Sequence, residues 1–154
     1  MSQVLDGIRV LDFGRYIAGP CCGMMLGDLG ADVIRIEKVD GSEDRYTMPV
    51  GEGAEGEECV GGGYLHLNRN KRGFTLNPMK PEGREIVKKL VATADVVIAN
   101  LPAETLVTMG LDYDSLCEIK SDIILTTVSA FTSVGPYKDR VGFDGVAAAM
   151  SGMM

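Results

Sequence analysis

RVLDFGRYIAGP, residues 9–20, is the stretch on which the fold turns. An apolar run over residues 9–13 stops at Gly14, and residues 18–29 then carry Met and Leu at helical spacing. A β-branched run, Val33-Ile34-Arg35-Ile36, follows at once. Strand, helix and strand in so short a span predict a βαβ unit, because parallel strands need a crossover between them. Gly19, Gly23, Gly27 and Gly30 would let that helix lie close on the sheet.

The pattern recurs. Residues 81–93 read as an amphipathic helix opened by Pro and Glu, and residues 95–99 as a buried strand. Residues 106–120 read as helical with a break near Gly110, and residues 123–128 as another strand. The chain closes on an apolar helical stretch from Phe143 to its end, where exposed apolar surface is expected. The fold class predicted is α/β: a doubly wound, mainly parallel, Rossmann-like sheet in one domain spanning residues 1–154. Residues 40–63, rich in Gly and Glu and without apolar period, predict a long surface loop that is mobile or poorly packed.

With 154 residues, 45% hydrophobic and 24% charged, the chain reads as an ordinary folded domain. Its formal net charge is -7, yet residues 43–58 alone hold six acids against one Arg. The remainder is close to neutral, which argues against a nucleic-acid partner. The stretch YLHLNRNKRGFTLN, residues 64–77, still places three of the fifteen basic residues within four positions. It can be read as a basic patch, a solvated turn or a grip on a phosphorylated small molecule. Cys21, Cys22, Cys59 and Cys117 form no CxxC pair and no ligand spacing with the single His66, so reduced thiols and no metal are expected. No leader-like segment opens the chain and no apolar run approaches a membrane span of ~20 residues, which predicts a cytoplasmic protein without membrane partners.

The turn from Gly14 to Gly19 is neither a GxGxxG fingerprint nor a P-loop. It can be an ordinary tight βα turn. Arg15, with Arg35 and Lys38 at the end of the next strand, would also put positive charge on one rim of the sheet, where a diphosphate could bind. In Tyr64-Leu65-His66-Leu67-Asn68, period-two alternation sets Leu65 and Leu67 on one face and His66 on the other, which reads as a surface or hydrogen-bonded histidine without triad partners. Asp144 stands before the last helix, where it would serve as an N-cap.

Four segments, in order and spacing across nearly the whole chain, resemble the class III CoA-transferase family. They are LDGIRVLDF (residues 5–13) with Ala18-Gly19-Pro20, LGADVIRIE (residues 29–37), NRNKR (residues 68–72) with Leu76, and ADVVI (residues 94–98) with Asn100 and Met109-Gly110-Leu111. That family includes formyl-CoA and carnitine-type CoA-transferases and the related α-methylacyl-CoA racemases. The resemblance implies coenzyme A, bound as an acyl-CoA, at Ile17, Ala18, Lys38, Leu76, Asn100 and Leu101, beside the Arg15 already noted, with NRNKR as a phosphate grip leading into the site. Leu101-Pro102-Ala103-Glu104 departs from the Phe-Arg-Pro-Gly common in the family and lacks its Arg.

The implied reaction moves CoA from a thioester to a small carboxylic acid through an aspartyl-CoA intermediate. The nucleophilic Asp of the family falls beyond the segment matching residues 141–154. The resemblance therefore implies an N-terminal portion of a longer enzyme, inactive alone, that in full length forms an interlocked homodimer with a smaller second domain. Racemases of the family carry a catalytic His at the position of Phe143, and Phe cannot exchange a proton, which favours transfer. A non-catalytic CoA-binding or assembly module is the alternative from another class.

Overall fold

The computed structural model describes residues 3–47, 59–131, 134–138 and 140–154. Among these residues five strands, β1 (Arg9–Asp12), β2 (Asp32–Glu37), β3 (Lys71–Thr75), β4 (Val96–Ala99) and β5 (Ile124–Thr127), form one sheet in the order β3-β2-β1-β4-β5. Every pairing is parallel, with Arg9 opposite Asp32 and Val10 opposite Val96. The chain leaves β1 toward β2 and β3, then returns to the other side of β1 for β4 and β5. The carboxyl ends of β1 and β4 therefore flank the place where strand order reverses, the crevice in which doubly wound sheets bind ligands.

Among the described residues six α-helices follow the strands: α1 (Ala18–Asp28), α2 (Gly62–Leu67), α3 (Pro81–Val91), α4 (Ala103–Met109), α5 (Tyr113–Ile119) and α6 (Asp144–Ser151). Alternation along β1 separates two cores. Leu11 and Phe13 join Ile34, Ile36, Val97 and Ala99 beneath α3, α4 and α5, through Val87, Val91, Leu106, Met109 and Leu116. Val10, Val33 and Ile98 face the other way, against Cys22 and Leu26 of α1. That second face is thin because α1 sits almost on the sheet: a Cβ at Gly23 would lie 2.8 Å from the Asp12 carboxylate.

Pro81 opens α3 at its first turn, as expected, since its missing N–H has no intrahelical acceptor there. The break near Gly110 is a left-handed residue (φ 69°) that ends α4, after which Asp112 caps α5 by accepting the Ser115 amide at 3.1 Å. α4 begins earlier than its apolar period suggests, with Pro102 as its N-cap residue.

Two expectations are corrected, and one strand is added. The alternating YLHL is helical, lying in α2, with Leu65 exposed. Six residues are too few for period two to be told from a short helix. β3 was not legible, because an edge strand with Lys, Arg and an exposed Phe74 has no apolar alternation. The 40–63 segment is not loose at its start: Glu43–Tyr46 forms a 3-10 turn, and Ser42 and Asp44 are buried. At its end Gly62 and Gly63 open α2, while residues 48–58 lie outside the described residues.

Asp144 is the first residue of α6 rather than its cap, which is Phe143 and makes no side-chain capping bond. The apolar surface expected there is present: Phe143, Val146, Met150 and Met153 are exposed.

Candidate coenzyme-binding site

The loop joining β1 to α1 is held at nearly every peptide. Phe13 donates its amide to the Ile98 carbonyl at 2.9 Å, and Gly14 donates to Asp12 Oδ1 at 2.8 Å. Asn100, one residue past β4, spans the next peptides: its Oδ1 accepts the Arg15 amide at 2.5 Å and its Nδ2 donates to the Arg15 carbonyl at 2.7 Å. The Arg15 guanidinium turns back under the loop and donates to the carbonyls of Phe13, Gly14 and Ile36 at 3.1, 2.9 and 3.3 Å. Tyr16 stands in the left-handed region at φ 59° and donates its amide to Asp44 Oδ2 at 3.2 Å.

From there Ile17 and Ala18 are exposed, and Gly19 is buried against Gly14 and Asn100. The amides of Ile17, Ala18 and Gly19 meet no acceptor among the described residues, and Pro20 has no N–H. α1 has no side-chain cap and no acid in its first turn, whereas α3, α4, α5 and α6 carry Glu82, Glu104, Asp114 and Asp144 there. The first turn of α1 thus carries no acid of its own to meet the positive end of the helix, which suits an anionic ligand.

Behind the loop lies a buried ionic network on the α1 face of the sheet. Arg35, 2% exposed, donates to Asp44 Oδ2 at 2.8 Å and to the Gly14 carbonyl, and sits 3.7 Å from Asp12 and 3.5 Å from Glu37. Lys71 Nζ donates to Asp12 Oδ2 and the Pro20 carbonyl, both at 2.7 Å, and to Asn68 Oδ1 at 3.0 Å. Glu37 accepts Arg45 Nε at 2.8 Å and the Tyr64 hydroxyl. Burial, with the Glu37 hydrogen bond, pushes the Tyr64 phenol up to about 12. Burial draws the Lys71 ammonium and the Arg15 guanidinium below their ordinary ranges.

Burial acts upward on the Glu37 carboxyl, but the bonds from Arg45 and Tyr64 outweigh it and hold the group below its usual range. A carboxyl depressed in the folded state contributes stability above its unfolded pKa of about 4.3, and that stability is lost as pH falls through the lower folded value. Urea unfolding between about pH 6 and about pH 3 should therefore show a shallower acid limb for Glu37→Gln than for wild type. Superimposable limbs would exclude Glu37 as a contributor.

The structure brings Arg15, Ile17, Ala18 and Asn100 together at the switch point, with Leu101 half-buried against the core beside them. Asn100 uses its side chain on the Arg15 backbone, so its effect on a ligand runs through the loop. Leu76 is buried and its amide donates to the Glu37 carbonyl at 2.7 Å, leaving only its apolar side and carbonyl for a ligand. Lys38 is half-exposed but ion-paired with Glu43.

The expected cationic rim of Arg15, Arg35 and Lys38 is corrected: Arg35 is neutralised in the interior and Arg15 faces carbonyls. In NRNKR, read as a phosphate grip, each cation is already paired, Lys71 in the interior and Arg69 and Arg72 at the surface. Arg69 pairs with Asp28 at 2.5 Å, Lys71 with Asp12, and Arg72 with Asp32 at 2.7 Å. Each carboxylate arrives from an element distant in sequence, so the pairing could not be read locally. His66 is exposed, with Arg69 NH1 3.5 Å from its ring nitrogens, in keeping with a surface role.

A cleft of about 480 Å³ opens at the carboxyl ends of β2 and β3, lined by Glu37, Val39, Asp40, Gly41, Arg45, Tyr46 and Thr75. A larger depression of about 570 Å³, bordered by Arg84, Lys88 and Val107, shares no residue with the strand ends. The four cysteines are free thiols, and among the described residues no group of His, Cys, Asp and Glu is placed to hold a metal ion. Among the same residues no helix is long and apolar enough to cross a membrane.

The profile of CoA-transferase family III matches residues 5–154. Succinate–glutarate CoA-transferase of Agrobacterium fabrum is 41% identical over 152 residues, covering 97% of this chain and 38% of that protein. Human succinyl-CoA:glutarate CoA-transferase is 39% identical over 151 residues, with 97% and 33% covered. A crystal structure of a CAIB/BAIF family protein from Brucella suis superimposes with a TM-score of 0.90 at 40% identity, over all of this chain and 40% of that one. The chain thus spans between a third and two fifths of the length of these relatives. With the family profile matched over almost its whole length and a fold shared at that level, this chain belongs to CoA-transferase family III.

Proposed function

We propose that the chain supplies the coenzyme A-binding part of an acyl-CoA:carboxylate CoA-transferase. The observation that carries this reading is the acid-free, uncapped start of α1 at the switch point, where open amides of Ile17 and Ala18 would take the diphosphate of CoA. Lys38 would meet the ribose phosphate once Glu43 yields it, and Leu76 and Leu101 would form apolar walls. Arg15 and Asn100 would act from behind the loop. Relatives are named for succinyl-CoA and glutarate, which makes succinyl-CoA the donor and a small dicarboxylic acid the acceptor to try first.

In the reaction so read, an aspartate outside these 154 residues attacks the thioester carbonyl, giving an acyl-aspartyl anhydride and CoA thiolate. The thiolate attacks the aspartyl carbonyl and releases the donor acid. The acceptor carboxylate then repeats the two steps in reverse, regenerating the aspartate. Phe143 lies edge-on to Tyr16, ring centroids 5.9 Å apart, and so stands beside the loop without a proton to exchange. That contact favours transfer over racemisation. A homodimer is proposed with the same reading.

Titration calorimetry with CoA, and with CoA lacking the ribose phosphate, separates the parts. Lys38→Ala should weaken CoA by ~1–2 kcal/mol and leave the dephosphorylated ligand nearly unchanged. Equal affinities in all four combinations would remove Lys38 from the phosphate site. Absence of CoA binding by the wild-type chain would overturn the coenzyme reading itself.

A further inference from the structure

We propose that Asp44, from the segment after β2, is a positioning residue for the ligand loop: it holds Tyr16 left-handed and so sets the aim of the Ile17 and Ala18 amides. A left-handed tyrosine is intrinsically unfavourable and persists only where its surroundings over-determine it. Those surroundings are visible. Asn100 fixes the Arg15 peptide from the β4 side, and Asp44 Oδ2 takes the Tyr16 amide from the β2 side.

The same Asp44 oxygen receives Arg35 NH2 at 2.8 Å, and Arg35 also donates to the Gly14 carbonyl. Asp44 therefore binds the loop twice, directly and through Arg35. Its other oxygen, Oδ1, is buried with no hydrogen-bond partner among the described residues, an arrangement unfavourable for stability alone. The carboxylate is thus placed where it serves the loop at the expense of its own pairing. The purpose of this hold, presenting the start of α1 to a phosphate, rests on the coenzyme reading above.

The test joins a ligand-free and a ligand-bound measurement on the same 154-residue chain. In Asp44→Ala, hydrogen exchange at the Tyr16 amide should accelerate and CoA affinity should fall about tenfold. Asp44→Asn keeps an acceptor for that amide and should stay within about threefold of wild type. Glycine enters the left-handed region freely, so Tyr16→Gly added to Asp44→Ala should recover most of the lost affinity, an effect that a merely supportive role would not give. Asp44→Leu, close in size to Asp and without an acceptor, serves for the same readouts should the alanine variant not fold.

Unchanged exchange and affinity in Asp44→Ala, or a double variant as weak as the single one, overturns the proposal. Accelerated exchange in a chain whose wild type fails to bind CoA supports the hold on Tyr16 and overturns the coenzyme reading on which its purpose rests.

Discussion

Replacing Arg35 by alanine is expected to remove about 3–5 kcal/mol of folding free energy, enough to leave a domain of ordinary stability partly or wholly unfolded. The reason lies in what remains behind. Asp12 and Asp44 are both buried, and among the described residues the Asp44 side chain would keep only the Tyr16 amide as a donor. Asp12 would keep Lys71 and the Gly14 amide. A buried pair broken on one side is far more damaging than the same pair never formed, because an uncompensated charge is left out of water.

Arg72→Ala is the comparison. It breaks an ion pair with Asp32 of similar length, but Arg72 is 63% exposed, so the expected loss is about 0–1 kcal/mol. Urea unfolding followed by circular dichroism reads both variants. Losses of equal size would mean that the interior position of Arg35 does not govern its contribution.

Gly19→Ala is expected to cost about 1–3 kcal/mol and to remove most affinity for CoA. A Cβ on Gly19 would stand 2.7 Å from the Gly14 Cα and 3.1 Å from Asn100 Oδ1. Neither neighbour can give way easily: one is backbone, and the other is fixed by two bonds to the Arg15 peptide. The start of α1 must lift, and the amides of Ile17 and Ala18 lose their position.

Gly145→Ala in α6 is the control, since its Cβ would meet nothing within 4 Å and alanine there should stabilise by about 0.5–1 kcal/mol. Melting temperature and CoA titration together read the effect. A Gly19→Ala chain with wild-type melting and wild-type affinity would show that α1 does not need this close approach.

Much of the architecture could be read from residues alone because the signals are local. The run from Arg9 to Phe13, the stop at Gly14 and the small-residue helix that follows specify β1, α1 and their spacing without reference to anything distant. Pro81 and Gly110 mark a helix start and a helix end by backbone chemistry that belongs to each residue. The family, too, was visible in ordered segments.

The candidate site was legible only as a place. Ile17, Ala18, Asn100 and Lys38 were named, but their roles were not separable by sequence. Whether a cation is free for a phosphate depends on which carboxylate reaches it. The answer differs for Lys38, paired at the surface with Glu43, and for Arg35 and Lys71, paired in the interior with Asp44 and Asp12.

The sequence by itself determined the alternation of strand and helix, the glycine-lined face of α1 and the family, since each rests on short-range pattern. Tertiary structure decided that NRNKR is a turn leading into the edge strand β3 and tied by ion pairs, that the Asn100 side chain grips the Arg15 backbone, and that Asp44 reaches the loop at all. Those outcomes rest on contacts between residues 28, 59 and 85 positions apart, and charge pairing over such separations is set only when the chain closes.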